Sequence, residues 1–203
     1  MTHHCNCGES HEEGDLGVQY SLHEKIDILN IECLNEYEEG SGASVFKTWE
    51  DRLDKSKYVE SDADTDVNEL LFNIPFTGSI KLKGLIVIGG ENELHPHRVS
   101  LYKNRPHMTF DNIVQPEQEF ELCVDNYGVH QYFPKVVKFS SVNHLSLYFT
   151  GRTGQEQIRI YYIGLKGEWT PAHQHGVTIC TYELIPQKSK KVKDRRDVDR
   201  AVS

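Results

Sequence analysis

Apolar and polar residues alternate with a period of two over most of the chain from about residue 69 onward. The stretch SIKLKGLIVIGG at 79–90 alternates at Ile80 and Leu82, breaks at Gly84, and then stays apolar until two glycines end it. This pattern is typical of a half-buried strand that bends at a glycine and continues into the interior. The residues Leu145 and Leu147 in HLSLYF show the same alternation, which predicts another strand.

Eight segments of this kind predict strands, and tyrosine, isoleucine and valine are enriched in them. They are ELLFNIP (69–75), SIKLKGLIVIGG (79–90), VSLYKN (99–104), FELCV (120–124), YFPKVVKF (132–139), VNHLSLYF (142–149), QIRIYYIGLKG (157–167) and VTICTYELI (177–185). The connections carry too little helical periodicity for the crossovers of a parallel sheet. The pattern therefore predicts an all-β fold, an antiparallel β-sandwich or jelly roll.

The two ends differ from the middle in composition. Residues 1–15 hold almost nothing that could be buried, and we expect a disordered tail rich in histidine, cysteine and glutamate. Residues 16–185 form the expected globular domain. Residues 186–203 are a basic tail with seven Lys or Arg against three Asp, which we expect to be disordered.

Charge narrows the kind of partner. The formal net charge is −9, and the basic tail makes the rest of the chain still more acidic. An acidic body repels a phosphate backbone, which argues against nucleic acid and favours a protein partner. We expect the chain to act as a monomer.

Segments that direct a protein to a membrane or out of the cell are not evident in this sequence. The longest apolar run, LIVI at 85–88, has only strand length, and the N-terminus has no apolar signal region. The five cysteines are odd in number and scattered, so we expect Cys33, Cys123 and Cys180 to be small buried hydrophobes in a reducing compartment. These features indicate the cytoplasm, and KSKKVKDRR at 188–196 is either a nuclear localisation signal or a solubilising end.

The N-terminus concentrates groups that could ligate a soft metal: His3, His4, Cys5, Cys7 and His11. A zinc site usually takes its ligands from two spaced pairs, whereas Cys5 and Cys7 are separated by one residue and no second pair in the rest of the chain has the spacing of zinc ligands. A peptide-like site of this kind would have to order flexible chain with no core to support it. We therefore expect no resident cofactor, and weak zinc binding by the tail at most.

Two further histidine pairs, His95 with His97 and His173 with His175, fall in predicted loops at strand ends. They would form a transition-metal site only if the two loops meet, and otherwise they are solvent-exposed, which is the interpretation that we favour. No nucleophile elbow, phosphate-binding loop or catalytic cysteine context is present. The sequence therefore predicts that the protein is not an enzyme.

Three stretches resemble the PITH domain family: CLNE (33–36), VFKTWEDRLDKSKYVESDADTDVNELLFNIPFTGSIKLKGLIVIG (45–89) and YYIGLKGEW (161–169). The resemblance implies a jelly-roll β-sandwich that is similar to galactose-binding-like domains. It also implies docking on the regulatory particle of the 26S proteasome, which is what the family name refers to. Relatives of this family that are fused to a thioredoxin domain carry C-x-x-C, and this chain has none, so reductase activity does not carry over.

Docking on a large assembly would use exposed loops and sheet edges. The candidate contacts are Glu60, Asp62, Asp64, Asp66, Trp49 and Trp169. Either tryptophan is equally compatible with a place in the core. The alternative function is a small-ligand module that binds carbohydrate or a metal at one end of the sandwich, and a concave pocket there would favour it.

Overall fold

The computed structural model describes residues 20–63 and 68–171, which lie in the first of two units, 1–172 and 173–203. The strands are β1 Glu32–Leu34, β2 Val59–Glu60, β3 Glu69–Gly89, β4 Arg98–Lys103, β5 Gln118–Glu121, β6 Val142–Thr150 and β7 Arg159–Pro171. Short 3₁₀ turns occupy His23–Lys25, Ile28–Asn30, Ser41–Val45, Glu50–Leu53, Asn92–Leu94 and Phe110–Asn112. The helical turns in these two ranges are all too short to cross a membrane.

The long strand β3 organises the sheet. Its first half pairs with β6 and β1, and its second half pairs with β7, always antiparallel. The register of β3 against β7 shifts between Leu82 and Gly84, which confirms the predicted irregularity at the glycine. The sequence predicts separate strands at 69–75 and 79–90, and this is wrong, because the chain runs through Pro75 and Gly78 as one strand.

β3 joins two groups of strands in one seven-stranded sheet, with β6, β4 and β5 on one side and β7 and β2 on the other. Because side chains of both groups belong to one core, the sheet folds over into two packed layers. Their side chains share one core, in which Phe72 contacts Phe46 and Phe149 edge-on at 5.9 and 5.7 Å. Leu85 and Leu165 reach the same core from the other layer. Each such side chain stabilises the fold by roughly 1.5–3 kcal/mol when fully buried. The predicted antiparallel β-sandwich is confirmed.

A second strand prediction, for residues 132–139, is also wrong. In YFPKVVKF, Tyr132 forms a bridge to Leu85 and the Phe139 carbonyl accepts the Leu82 N–H at 3.0 Å, but residues 136–139 form a turn rather than a strand. Pro134 has no N–H to donate to a ladder, and successive turn bonds follow it up to Phe139, which is fully buried. The predicted strand VTICTYELI at 177–185 lies outside the described residues.

Three loops meet at one end of the sandwich: 90–97 after β3, 122–131 after β5, and 151–157 after β6. The backbone N–H of Leu122 donates to the His97 carbonyl at 2.8 Å, which joins the first two loops. The side-chain amide of Gln155 donates to the His95 carbonyl at 3.2 Å, which joins the first and third. The candidate functional site lies at this end.

Candidate docking surface and end cleft

Three large apolar side chains project into solvent from residues 123–130, which we call the Tyr127 loop. Val124, Tyr127 and Val129 are 61%, 68% and 79% exposed. Single exposed apolar side chains are ordinary, whereas a group of them on one loop marks a candidate interaction surface. Tyrosine is also enriched at protein interfaces.

Asp125 fixes the backbone of the Tyr127 loop from inside. Its side chain is buried, and one carboxylate oxygen accepts the N–H groups of Tyr127 and Gly128 at 3.0 and 2.9 Å. The other oxygen accepts the N–H of His130 at 2.6 Å. Hydrogen bonds to a charged acceptor are stronger than neutral ones. The apolar side chains are therefore presented by a loop whose conformation is already set.

Gly128 allows this loop to lie against the sandwich. Its φ is +71°, and a Cβ there would lie 3.1 Å from Ile88 Cδ1 and 3.3 Å from Arg52 Cδ. The left-handed conformation and the close approach both favour glycine. Arg52 also donates from Nε to the Tyr127 carbonyl oxygen at 3.0 Å, which holds the loop to the turn at 50–53.

Beside the Tyr127 loop lies a concave site of about 590 Å³, which we call the end cleft. Its lining residues are Asn92, Glu93, His95, His97, Leu122, Cys123, Val124, Arg152, Thr153, Gly154 and Gln155. The cleft thus combines an apolar wall from the Tyr127 loop with polar groups from the other two loops. The side chain of Val124 belongs to both features.

His95 is a buried member of the end cleft. It is only 8% exposed and its ring lies against Gly89, so the expectation that it is solvent-exposed is wrong. Burial lowers the pKa of His95 below its ordinary value, because the charged imidazolium would lose its hydration. The nearby positive charge of Arg152 acts in the same direction. His95 is therefore a neutral imidazole at neutral pH.

Arg152 is held by its backbone, while its side chain is exposed. The Asn68 side-chain amide donates to the Arg152 carbonyl at 2.8 Å, and the Arg152 N–H donates to Gln155 Oε1 at 2.9 Å. The ion pairs in residues 20–63 and 68–171 involve other cations, so the Arg152 guanidinium has no carboxylate partner there. The positively charged Arg152 side chain therefore lines the cleft from a backbone position that hydrogen bonds hold in place.

Within the described part of the chain, no three His, Cys, Asp or Glu side chains are grouped so that they could hold a metal ion. His173 and His175 lie outside that part, as do the N-terminal ligands His3, His4, Cys5, Cys7 and His11. Zinc binding by the tail stays a prediction. Cys33 has a free thiol whose pKa is raised by burial, while Cys123 is disulfide-bonded, which corrects the expectation of a reduced, buried thiol.

The predicted acidic contacts have unequal surroundings. Glu60 Oε1 accepts hydrogen bonds from Arg159 Nη2 and Nε at 2.7 and 3.1 Å, and its side chain is mostly buried. The half-buried Asp62 donates its backbone N–H to the Asn35 carbonyl at 3.0 Å. Asp64 and Asp66 lie outside the described residues. Glu60 is thus engaged within the protein rather than free to meet a partner.

Both tryptophans are half-buried and contact cations. The Trp49 ring lies 3.9 Å from the Arg52 guanidinium carbon and 5.1 Å from Lys166 Nζ. The Trp169 ring packs against the main core, and Lys25 Nζ lies 4.9 Å from its centre. Trp49 lies on the same side as the Tyr127 loop, because Arg52 contacts both.

Sequence reasoning missed the Tyr127 loop and Arg152. The only local signal for the loop is Asp125 followed by Gly128, which is the Asp-x-x-Gly pattern of a turn. A turn signal does not say which neighbouring side chains stay exposed. Arg152 carries no signal of its own, because its place in the cleft depends on how three distant loops meet.

Comparison with known proteins supplies the family. The PITH domain family model matches residues 12–186. The chain is 58% identical over 187 residues to PITH domain-containing protein CG6153 of Drosophila melanogaster, covering 89% of this chain and 87% of that protein. It is 48% identical over 182 residues to PITH domain-containing protein 1 of Homo sapiens, covering 88% and 85%.

Among solved structures, the chain is similar to the family 32 CBM from C. perfringens NanJ, which was solved in complex with galactose. The two share 8% sequence identity with a TM-score of 0.50, and the match covers 72% of this chain and 97% of that one. The likeness supports the galactose-binding-like fold and nothing about ligands. Family match, close relatives and observed fold agree, and the chain belongs to the PITH domain family.

Proposed function

We propose that this protein is a non-enzymatic interaction module that docks on a large protein assembly through the Tyr127 loop. The single observation that carries the proposal is that Val124, Tyr127 and Val129 are exposed while the backbone beneath them is fixed by Asp125. A partner that binds these side chains does not have to order the loop, so less conformational entropy opposes binding. Tyrosine is among the residue types that most often carry the binding energy at interfaces, and apolar neighbours such as the two valines exclude water around it.

The regulatory particle of the 26S proteasome is the assembly that we propose as the partner. The support is membership of the PITH domain family, together with an acidic body that suits protein rather than nucleic acid. Function follows from a site rather than from a fold, so this partner needs a direct test.

The test measures binding of the full-length protein to purified 26S proteasome by biolayer interferometry. The variants Tyr127→Ser and Val129→Ser are compared with Leu29→Ser, which removes an apolar side chain that is 95% exposed and lies outside the loop. We expect each loop variant to weaken binding about tenfold or more, and Leu29→Ser to change it less than about twofold. Equal affinities for all four proteins, or no binding by the unaltered protein, would overturn the proposal.

The second candidate function is binding of a small ligand in the end cleft. The observation in its favour is the cleft itself, a concave site at the strand ends with polar groups from three loops. The galactose bound to the C. perfringens module makes a sugar the first ligand to try. A galactose titration followed by the backbone amide signals of Thr153 and Gly154 tests it, and unchanged signals at tens of millimolar sugar would reject a galactose site.

A further inference from the structure

The end cleft and the Tyr127 loop form one continuous surface. Leu122 and Cys123 line the cleft, and Val124 lines it while remaining 61% exposed. A partner segment that covers Val124 therefore passes over the mouth of the cleft. The interior of the cleft is available to a side chain of that same segment.

The positive charge of Arg152 in the cleft favours a negatively charged side chain on the partner. Arg152 presents an exposed guanidinium that has no carboxylate partner among residues 20–63 and 68–171, and its backbone is held by Asn68 and Gln155. Burial keeps His95 neutral. One carboxylate also lines the described part of the cleft, that of Glu93, which is exposed and forms no ion pair with Arg152. The guanidinium group matches the geometry of a carboxylate and can bind it through two parallel hydrogen bonds, and the backbone of Arg152 is already held in place.

The lining also distinguishes a peptide from a sugar. Within residues 20–63 and 68–171, the lining of the cleft includes Leu122 and Val124 but no tryptophan, tyrosine or phenylalanine. Aromatic rings are the usual surfaces on which the flat face of a pyranose stacks. Aliphatic side chains beside a single guanidinium suit a carboxylate flanked by apolar peptide residues instead.

We propose that the end cleft is a subsite for the carboxylate of a glutamate or aspartate side chain in the docking partner, with Arg152 as its anchor. Leu122 and Val124 contact the apolar residues that flank this carboxylate. This inference rests on the proposed docking function, because it names the chemistry of the segment that the Tyr127 loop receives.

The test uses two peptides with the full-length protein labelled with ¹⁵N. Acetyl-Val-Glu-Val-amide is the probe and acetyl-Val-Gln-Val-amide is its neutral match, and amide shifts at Arg152, Thr153 and Gly154 report binding. We expect the Glu peptide to bind about tenfold more tightly than the Gln peptide, since a charge-assisted hydrogen bond is worth that much in affinity. Arg152→Gln should abolish the difference, and Arg152→Lys should retain part of it.

The matched control is Arg105→Gln, because Arg105 is an exposed arginine that faces Glu117 at 3.9 Å, outside the cleft. It should leave the preference for the Glu peptide unchanged. Equal binding of both peptides, an unchanged preference in Arg152→Gln, or galactose shifts without peptide shifts would overturn the inference.

The two tests fail separately. Loss of proteasome binding in Tyr127→Ser without any preference for the Glu peptide would remove the carboxylate subsite and leave the docking function standing. A clear preference for the Glu peptide without proteasome binding would remove that partner and leave the subsite standing.

Discussion

Arg52 and Tyr127 are 75 residues apart in sequence and are joined by a hydrogen bond of 3.0 Å from Nε to the carbonyl oxygen. The same guanidinium donates from Nη1 to the Trp49 carbonyl at 2.9 Å and stacks on the Trp49 ring. One side chain therefore connects the exposed loop to the turn at 50–53 and to the small core cluster under Trp49. The loop is held from outside by Arg52 and from inside by Asp125.

Arg52→Gln should loosen the Tyr127 loop without unfolding the sandwich. We expect hydrogen exchange of the Tyr127, Gly128 and His130 amides to speed up about tenfold, because the loop loses its hydrogen bond to Arg52. Amides in the middle of β6 should be unaffected. The control is Lys55→Gln, which removes a nearby cation from an exposed pair with Glu91, and acceleration of the same amides in this variant would contradict the role given to Arg52.

Asp125→Ala should destabilise the protein, since three N–H groups lose their buried acceptor at once. We expect the free energy of unfolding in urea to fall by about 2–3 kcal/mol, as for loss of hydrogen bonds to a charged group. Asp125→Asn keeps an oxygen and the side-chain shape, so its loss should be smaller. Equal stability of Asp125→Ala and the unaltered protein would show that water replaces the carboxylate.

Acid should destabilise the protein through His95. Its pKa in the folded state lies below the value in the unfolded chain, about 6.5, so unfolded molecules take up a proton that folded ones do not. The contribution of His95 to the free energy of unfolding is therefore fully present above about pH 6.5. It is lost as the pH falls from there toward the pKa of His95 in the folded state. Urea unfolding between pH 5 and 7.5 measures the slope, and His95→Gln should reduce it, whereas an unchanged slope would assign the effect to other groups.

Among the acidic candidate contacts, we expect Asp62, Asp64 and Asp66 to speed association with the partner, and Glu60 to stabilise the fold instead. The triple variant Asp62→Asn, Asp64→Asn, Asp66→Asn should slow association with the proteasome and reduce its salt dependence, as expected for electrostatic steering. Glu60→Gln instead breaks the pair with Arg159 and should lower the free energy of unfolding by about 1–2 kcal/mol. Stability is read by urea unfolding and association by interferometry, and slowed association in Glu60→Gln alone would reverse the two roles.

Most strands could be predicted from alternation, because one face of each strand enters the core. Leu145, Leu147 and Phe149 in β6 are all fully buried, as their spacing of two predicts. The same rule failed for YFPKVVKF, where Phe139 is buried from a turn and Val137 is 89% exposed. Apolar residues in a short run say that something is buried but do not distinguish a turn from a strand.

The candidate site was far less predictable than the sheet. His95 and His97 were singled out from the sequence, yet the burial of His95 depends on the ring meeting Gly89 and on the loop that carries Gln155. Val124 and Val129 resemble strand residues in composition, and only Asp125 and Gly128 turn the chain so that they face solvent. Whether these side chains are exposed depends on tertiary packing, which cannot be predicted from the local sequence pattern.

The 21-residue strand β3 also limits how this protein can be rearranged. A chain break or an inserted domain near Pro75 would separate the pairing with β6 from the pairing with β7, so two fragments divided there should not fold apart. Exposed turns such as the one around Val137 interrupt no ladder and should tolerate a new pair of termini or a fluorescent tag.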